Sequence, residues 1–388
     1  MSYIHQFICA NCQKSYDLYH SSFLCDECGK PVLIEYDLYR ARREMDLRDW
    51  FSREGMWTFK QLLPISNSAS VLSLKEGDTP ILNLRRSAAR FAVQNIFVKN
   101  EAQNPGGSSR DREMSVVFSH LRATDYPLVL VESCGTLGIS ASIYSRLAGK
   151  KCQVLMPDHS PVQFKGECQI FGTNVTLIAW NESNRIRVKQ VAQAQEKAFD
   201  LATEGLALRI EGAKTVFLEL FLQFQKDLPE VLLIPCGEGV SFLGVWKAIN
   251  ELVKLDWLSK RNVPEVWVVQ SANCPSLLQD DAEQHCKDTI AFDLYYPTSP
   301  LHSIIRRVMK DWGWKVVTVE DEEILQSWTQ IAKDDGLILS PEGASCMAAL
   351  ASLVRGGKVA RKQNFLMLNP SNGSRYVHSL GFIEQKKN

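Results

Sequence analysis

The sequence predicts an α/β protein of open, twisted sheets with helices on both faces, preceded by a small N-terminal metal ribbon. Three observations carry this. Eight short runs rich in Val, Ile and Leu recur along the chain: "NIFVKNE", "LVLVES", "CQVLMP", "NVTLIA", "EVLLIP", "EVWVVQS", "WKVVTV" and "NFLMLNP". Helical stretches alternate with them, among them "ISASIYSRLAGK", "RIRVKQVAQAQEKAFDLA", "FLGVWKAINELVKL", "DEEILQSWTQIAKDDG" and "ASCMAALASLVRGG". Two CxxC pairs stand ahead of all of these. Strands buried on both faces read as continuous apolar runs, and their alternation with helices implies sheets wrapped on both sides.

In chain order the ribbon comes first. "CANC" supplies Cys9 and Cys12, and "CDEC" supplies Cys25 and Cys28, with twelve residues between the pairs. Each knuckle lets adjacent amides wrap one side of a metal. Four thiolates close a tetrahedron with no open position, which is the pattern of structural zinc. Gly29 suits the positive φ of such a turn. Iron on the same ligands is the less apt alternative, and four free surface cysteines are the bland one. So small a segment could scarcely bury a core without the metal. Residues 1–40 are therefore assigned to a zinc ribbon. Residues 41–75 form a helical connector: a charged amphipathic helix from "RARREMDLRDWF", then a stretch bearing Trp and Phe.

Ligands of open α/β sheets sit at the loops leaving strand ends, and three loops stand there. "NPGGSSRDRE" (Asn104–Glu113) follows a strand and opens a helix running to His120. "SCGTLG" (Ser133–Gly138) offers amides at a helix N-terminus, a geometry suited to an anion. "PCGEGVS" (Pro235–Ser241) makes the same turn later. A lone turn of this kind is more often just a tight connection, so the order of the three is what informs.

The bulk numbers exclude several classes. Lys+Arg and Asp+Glu are both 44 in 388 residues, giving zero formal charge and no broad surface for nucleic acid or membrane. No signal peptide or apolar run of spanning length is visible. Eleven cysteines, four in the ribbon and seven scattered singly, suggest reduced thiols in a cytoplasmic protein rather than a disulfide framework.

The ordered segments "KNEAQNPGGSSRDR", "SCGTLGISASIYSRLAGKKCQVLMP", "EGAKTVFLEL", "PCGEGVSFLGVWK", "DEEIL" and "LILSPEGASCMAALASL" resemble threonine synthase. More broadly, they resemble the fold-type II pyridoxal-phosphate enzymes, whose relatives include the tryptophan synthase β chain, cysteine synthase and threonine dehydratase. Some threonine synthase-like proteins also carry an N-terminal zinc ribbon. The resemblance implies a tryptophan synthase β-like fold of two α/β domains: a larger one over 76–127 and 207–388, and a smaller one over 128–206. The cofactor would lie between them. It further implies a Schiff-base lysine in the first loop, beside Ser108 and Ser109. The ring and the substrate carboxylate would be held by Ser133, Gly135 and Thr136. A phosphate cradle would form at Gly237, Glu238, Gly239 and Ser241, and, if the register slips by a few residues, Ser371 or Ser374 would take the contact to the pyridine nitrogen.

This chain departs from that pattern at each place. Arg110 stands where the lysine is expected, and a guanidinium that stays protonated cannot form or exchange a Schiff base. Thr136 replaces the usual Asn. Glu238 and Val240 interrupt the glycines, and a carboxylate repels a phosphate. Pro370 stands where Thr is usual. An engineered exchange would explain Arg110 but not the other three.

The sequence therefore predicts a threonine synthase-like protein diverged at the Schiff-base position. It would bind a small anionic or amino-acid-like ligand in the cleft, with Arg110 at its floor and Glu238 as one internal partner, and non-Schiff-base catalysis stays open. A structural ion network around Arg110, Asp111 and Arg112 is the competing reading. Three other functions stand beside it. One is a working pyridoxal-phosphate lyase or synthase, with Lys99 or Lys214 as the amine. Another is a thiol enzyme using Cys134 at a helix N-terminus. The third is a regulatory, partner-binding protein. Expected partners are a small molecule and a second copy of the chain as a homodimer, with neither nucleic acid nor membrane.

Overall fold

The computed structural model describes residues 2–18, 23–52, 54–65, 67–279, 285–360 and 362–378. All eight apolar runs form strands, and each pairs in parallel with a neighbour. Contacts divide the chain into two compact units, one of residues 1–77 and 110–215, the other of 78–109 and 216–388.

The first unit holds two sheets. Ser15–Tyr16, Ile4–Cys9 and Val32–Tyr36 form an antiparallel ribbon sheet in that order. Asn174–Ile178, Lys151–Pro157, Leu128–Glu132 and Ala198–Asp200 form a parallel sheet of four. The helix Arg110–Leu121 groups with this unit. Every residue of it except His120 is buried, so it needs neighbours on all sides. Asp111 accepts a hydrogen bond from Ser140 of the helix Thr136–Ala148 at 2.6 Å. At Gly212 of the helix Leu206–Gln223 a Cβ would stand 2.3 Å from the Arg112 carbonyl. Only glycine permits that approach.

The second unit is built on a six-stranded sheet. Its order is Lys315–Val319, Glu265–Ser271, Val231–Pro235, Asn364–Asn369, Asn95–Asn100 and Ile81–Asn83. The last strand is antiparallel, and short enough to serve as an edge. Apolar side chains of the buried helix Pro341–Arg355 pack in the core of this unit.

Three readings need correction, and one strand is added. The connector is not one helix but two short ones, Leu38–Glu44 and Arg48–Phe51, followed by 3₁₀ turns at Met56–Leu62 and Ser68–Ser70. Burial decides its course, with Trp50 edge-on to Phe59 at 4.8 Å. The helix read through "RIRVKQVAQAQEKAFDLA" ends at Gln195. Glu196 turns extended, and Ala198–Asp200 joins the sheet with Phe199 buried. Ile81–Asn83 carries too few residues to announce itself as a strand. Finally, Cys274 and Cys286 form a disulfide across a separation of twelve residues, so the scattered cysteines are not all thiols. Among the described residues no helix is long and apolar enough to cross a membrane.

Candidate functional site

Arg110 opens its helix and is 8% exposed. A cation at that end opposes the helix dipole by about 0.3–1 kcal/mol, and an acid one turn on offsets it. Arg110 Nη1 donates to Glu113 Oε1 at 2.8 Å, while Arg209 Nε donates to Glu113 Oε2, also at 2.8 Å. Glu113 and Arg209 have no exposure. Arg112, equally buried, donates to Thr215 Oγ1 at 3.4 Å. Glu113 thus holds Arg110. Side chains three apart on a helix meet, so Glu113 was legible, whereas Arg209, 96 residues on, was not.

The second loop lies in the same unit. Ser133 Oγ accepts from the amides of Gly135 at 3.1 Å and Gly138 at 2.9 Å. It also donates to the Gly135 carbonyl at 3.1 Å, so one hydroxyl organises the turn. Cys134 and Thr136 are buried beside it. The Asp111–Ser140 bond sets this helix start next to that of Arg110.

Ser108, Ser109 and Ser371 come together in the second unit. Ser108 bridges Ser371, the Ser109 amide donates to Pro370 O at 2.8 Å, and the Asn372 amide donates to Gly107 O at 3.0 Å. Arg375 clamps the turn through the carbonyls of Gly106 at 2.9 Å and Gly107 at 3.3 Å. Ser371 Oγ lies 3.4 Å from the Tyr376 hydroxyl, and Tyr376 stacks on Phe292. Half-buried Asp293 and fully buried Glu342 form an acid pair in this unit, the Asp293 amide donating to Glu342 Oε1 at 3.2 Å. Glu342 Oε2 has no hydrogen-bond partner. Burial first, and then the Asp293 charge, push the Glu342 carboxyl up to about 7. Neither Arg375 nor this acid pair was foreseen, since nothing local marks them.

The third loop is closed by its own packing. A Cβ on Gly237 would stand 2.1 Å from Asp293 O, and one on Gly239, at φ 106°, would stand 2.2 Å from Ile305 Cδ1. The glycines are therefore demanded by the fold itself. The Gly237 carbonyl lies 3.0 Å from His302 Nε2, and the Glu238 carbonyl accepts from Ser299 Oγ at 2.7 Å. Burial pushes His302 below its ordinary value. Glu238 is buried in the turn and Ser241 is half-buried.

Both lysines considered as substitutes are ion-paired in the interior. Lys99 donates to Glu219, to Gln223 Oε1 at 2.7 Å and to Thr79 O at 2.7 Å. That uses all three ammonium protons. Lys214 meets Glu211 at 2.6 Å and lies 4.1 Å over the Tyr36 ring, while the Tyr36 hydroxyl donates to Glu211 at 2.7 Å.

In the ribbon, Cys9, Cys12, Cys25 and Cys28 bring their sulfurs within 4.8 Å of one another. The Cys9–Cys28 and Cys12–Cys25 pairs stand at 3.5 Å. A zinc tetrahedron has sulfur–sulfur edges of about 3.8 Å, so the donor set fits that ion. Amides of Asn11 and Cys12 donate to Cys9 Sγ at 3.3 and 3.4 Å. Gly29 has the expected positive φ, 64°.

Comparison with known proteins gives three findings. Residues 72–371 match the family model described as pyridoxal-phosphate dependent enzyme. Threonine synthase of Methanocaldococcus jannaschii is 26% identical over 379 residues, covering 94% of this chain and 91% of that protein. Threonine synthase of Mycobacterium leprae is 26% identical over 316 residues, covering 81% and 86%. Among solved structures, O-ureido-L-serine synthase superposes with TM-score 0.66 at 18% identity, covering 81% of this chain and 94% of the other. Maize serine racemase gives 0.64 at 17%, covering 80% and 94%.

Proposed function

The chain belongs to the pyridoxal-phosphate dependent enzyme family, and on that premise we propose a threonine synthase-like protein that forms no Schiff base at residue 110. It binds a small anionic or amino-acid-like ligand instead. The observation that supports this is the buried ion cluster at the start of the helix: Glu113 meets both Arg110 and Arg209, so residue 110 carries a fixed guanidinium where Schiff-base chemistry needs an exchangeable amine. Family members draw electrophilic chemistry from pyridoxal phosphate. The residues here do not fit its covalent attachment, because a guanidinium above pKa about 12 is neither basic nor displaceable. A buried Glu238 in the third loop likewise disfavours a phosphate there. Within the first unit, ligand contacts are assigned to Arg110, Ser133, Gly135 and Thr136. A cytoplasmic setting and a homodimer belong to the same proposal.

The test is chemical labelling followed by ligand capture. After incubation with pyridoxal phosphate and borohydride reduction, peptide mapping is expected to find no stoichiometric label at residue 110, Lys99 or Lys214. Stoichiometric label on either lysine would restore a working pyridoxal enzyme. Native mass spectrometry identifies the retained small molecule, and Arg110→Ala should weaken its binding by about 2 kcal/mol. Unchanged affinity with a large loss of stability would make Arg110 a structural ion-pair residue and end the site assignment.

A further inference from the structure

We infer that the first unit carries a second ligand site, at the strand-start edge of its four-stranded sheet, for a small molecule bearing an oxyanion. A groove of about 480 Å³ opens there, lined where the strands beginning at Leu128, Lys151 and Asn174 start and where the helix Thr136–Ala148 ends. The Ser133–Gly138 loop leaves the other end of the Leu128–Glu132 strand, so the groove is separate from the site proposed above. Its volume lies within the range of small-molecule pockets, about 300–1,000 Å³.

The charges lining it are unbalanced. Arg146, Lys150 and Lys151 face a single acid, Glu196. Lys151 is held by Glu196 at 2.7 Å. Lys150 donates to the carbonyls of Thr124 at 3.0 Å and Tyr126 at 2.8 Å, which leaves one ammonium proton. Arg146 is exposed and meets no acid among the described residues. Its planar fork of donors matches a carboxylate or a phosphate.

The helix end does not cancel this. The carbonyls of Ser145 and Arg146 already accept from the amides of Lys150 at 2.9 Å and Gly149 at 3.2 Å. Thr173, also lining the groove, is buried beside Cys152. A ligand hydroxyl or amide beside the oxyanion has Gln153, Asn174 and Gln195 within the same lining. The ligand class is therefore a carboxylate or phosphate on a small polar body.

Calorimetric titration of the full-length protein, in a buffer free of oxyanions, tests this with inorganic phosphate in one arm and acetate in the other. The Arg110→Ala protein serves as the background, so that binding at the site proposed above is weakened. One saturable site per chain is expected for at least one probe, and the arm that saturates tells phosphate from carboxylate. Adding Arg146→Ala should weaken it at least tenfold, with unchanged circular dichroism because Arg146 is exposed. Arg146→Gln provides the same readout if the alanine variant folds poorly. Absence of saturable binding in both arms overturns the inference. So does binding that survives both Arg146 substitutions, or binding present in the native protein and lost in Arg110→Ala alone.

Discussion

At residue 110 the exchange of an ammonium for a guanidinium removes one chemistry and imposes another requirement. The permanent charge has to be met, and Glu113 meets it from one turn away. Arg110→Lys would return an amine without removing Glu113, Arg209 or Glu238, so it need not return pyridoxal chemistry. The absence of lysine at 110 was legible in the sequence because neighbouring residues fix the register; the distant half of the ion cluster was not, because only folding brings Arg209 to Glu113. Glu342 illustrates the same limit and yields a sharper expectation. Its carboxyl is raised to about 7 in the fold from an ordinary value of about 4.3. The folded state thus binds more protons than the unfolded state between those values, so stability falls as pH rises through that window. Glu342→Gln should remove this slope and stabilise the protein at pH 8 relative to pH 5 by roughly 1–3 kcal/mol. Denaturant melts at the two pH values measure it, and a slope unchanged by the substitution refutes the assignment.

At the scale of elements, period and composition carried most of the fold. Long buried strands announced themselves through unbroken apolar runs. Ala198–Asp200 did not, because three residues after a helical pattern offer no period of their own. The glycine-rich first loop was visible as a turn, yet its clamp was not, since Arg375 lies 268 residues from Gly107. That clamp can be tested by comparing two glycines of the second unit with similar backbone angles. Gly107 (φ 77°) would set a Cβ 2.8 Å from Arg375 Nη1, whereas Gly313 (φ 68°) faces open space. Alanine at Gly313 should cost about 1 kcal/mol from the left-handed backbone alone. Gly107→Ala should cost more, by roughly another 1–2 kcal/mol, as the guanidinium is displaced. Equal costs in urea unfolding would show that Arg375 yields freely and does not hold the loop.

At the scale of the molecule, the ribbon is more than an appendage. From sequence alone, Cys25→Ser with Cys28→Ser is expected to release about one zinc per chain and loosen the first forty residues, leaving the α/β body folded. The structure shows how far that loosening should travel. Residues 1–77 and 110–215 form one compact unit, and the ribbon grips its helices at two points. Phe23 packs edge-on to His120 at 5.8 Å, and Tyr36 donates to the buried Glu211 at 2.7 Å while its ring faces the Lys214 ammonium. Loss of the metal removes the constraint that holds these side chains in place. It leaves Glu211 and Lys214 with one fewer partner in a buried setting, where each lost hydrogen bond costs about 1–3 kcal/mol. Amide exchange after chelation should therefore quicken tenfold or more in Arg110–Leu121 and in 206–215, as well as in the ribbon. The six-stranded sheet of the second unit should keep its protection. Exchange confined to residues 2–36 would show that the first unit stands without its ribbon, and a metal content of zero in the intact protein would remove the zinc assignment altogether.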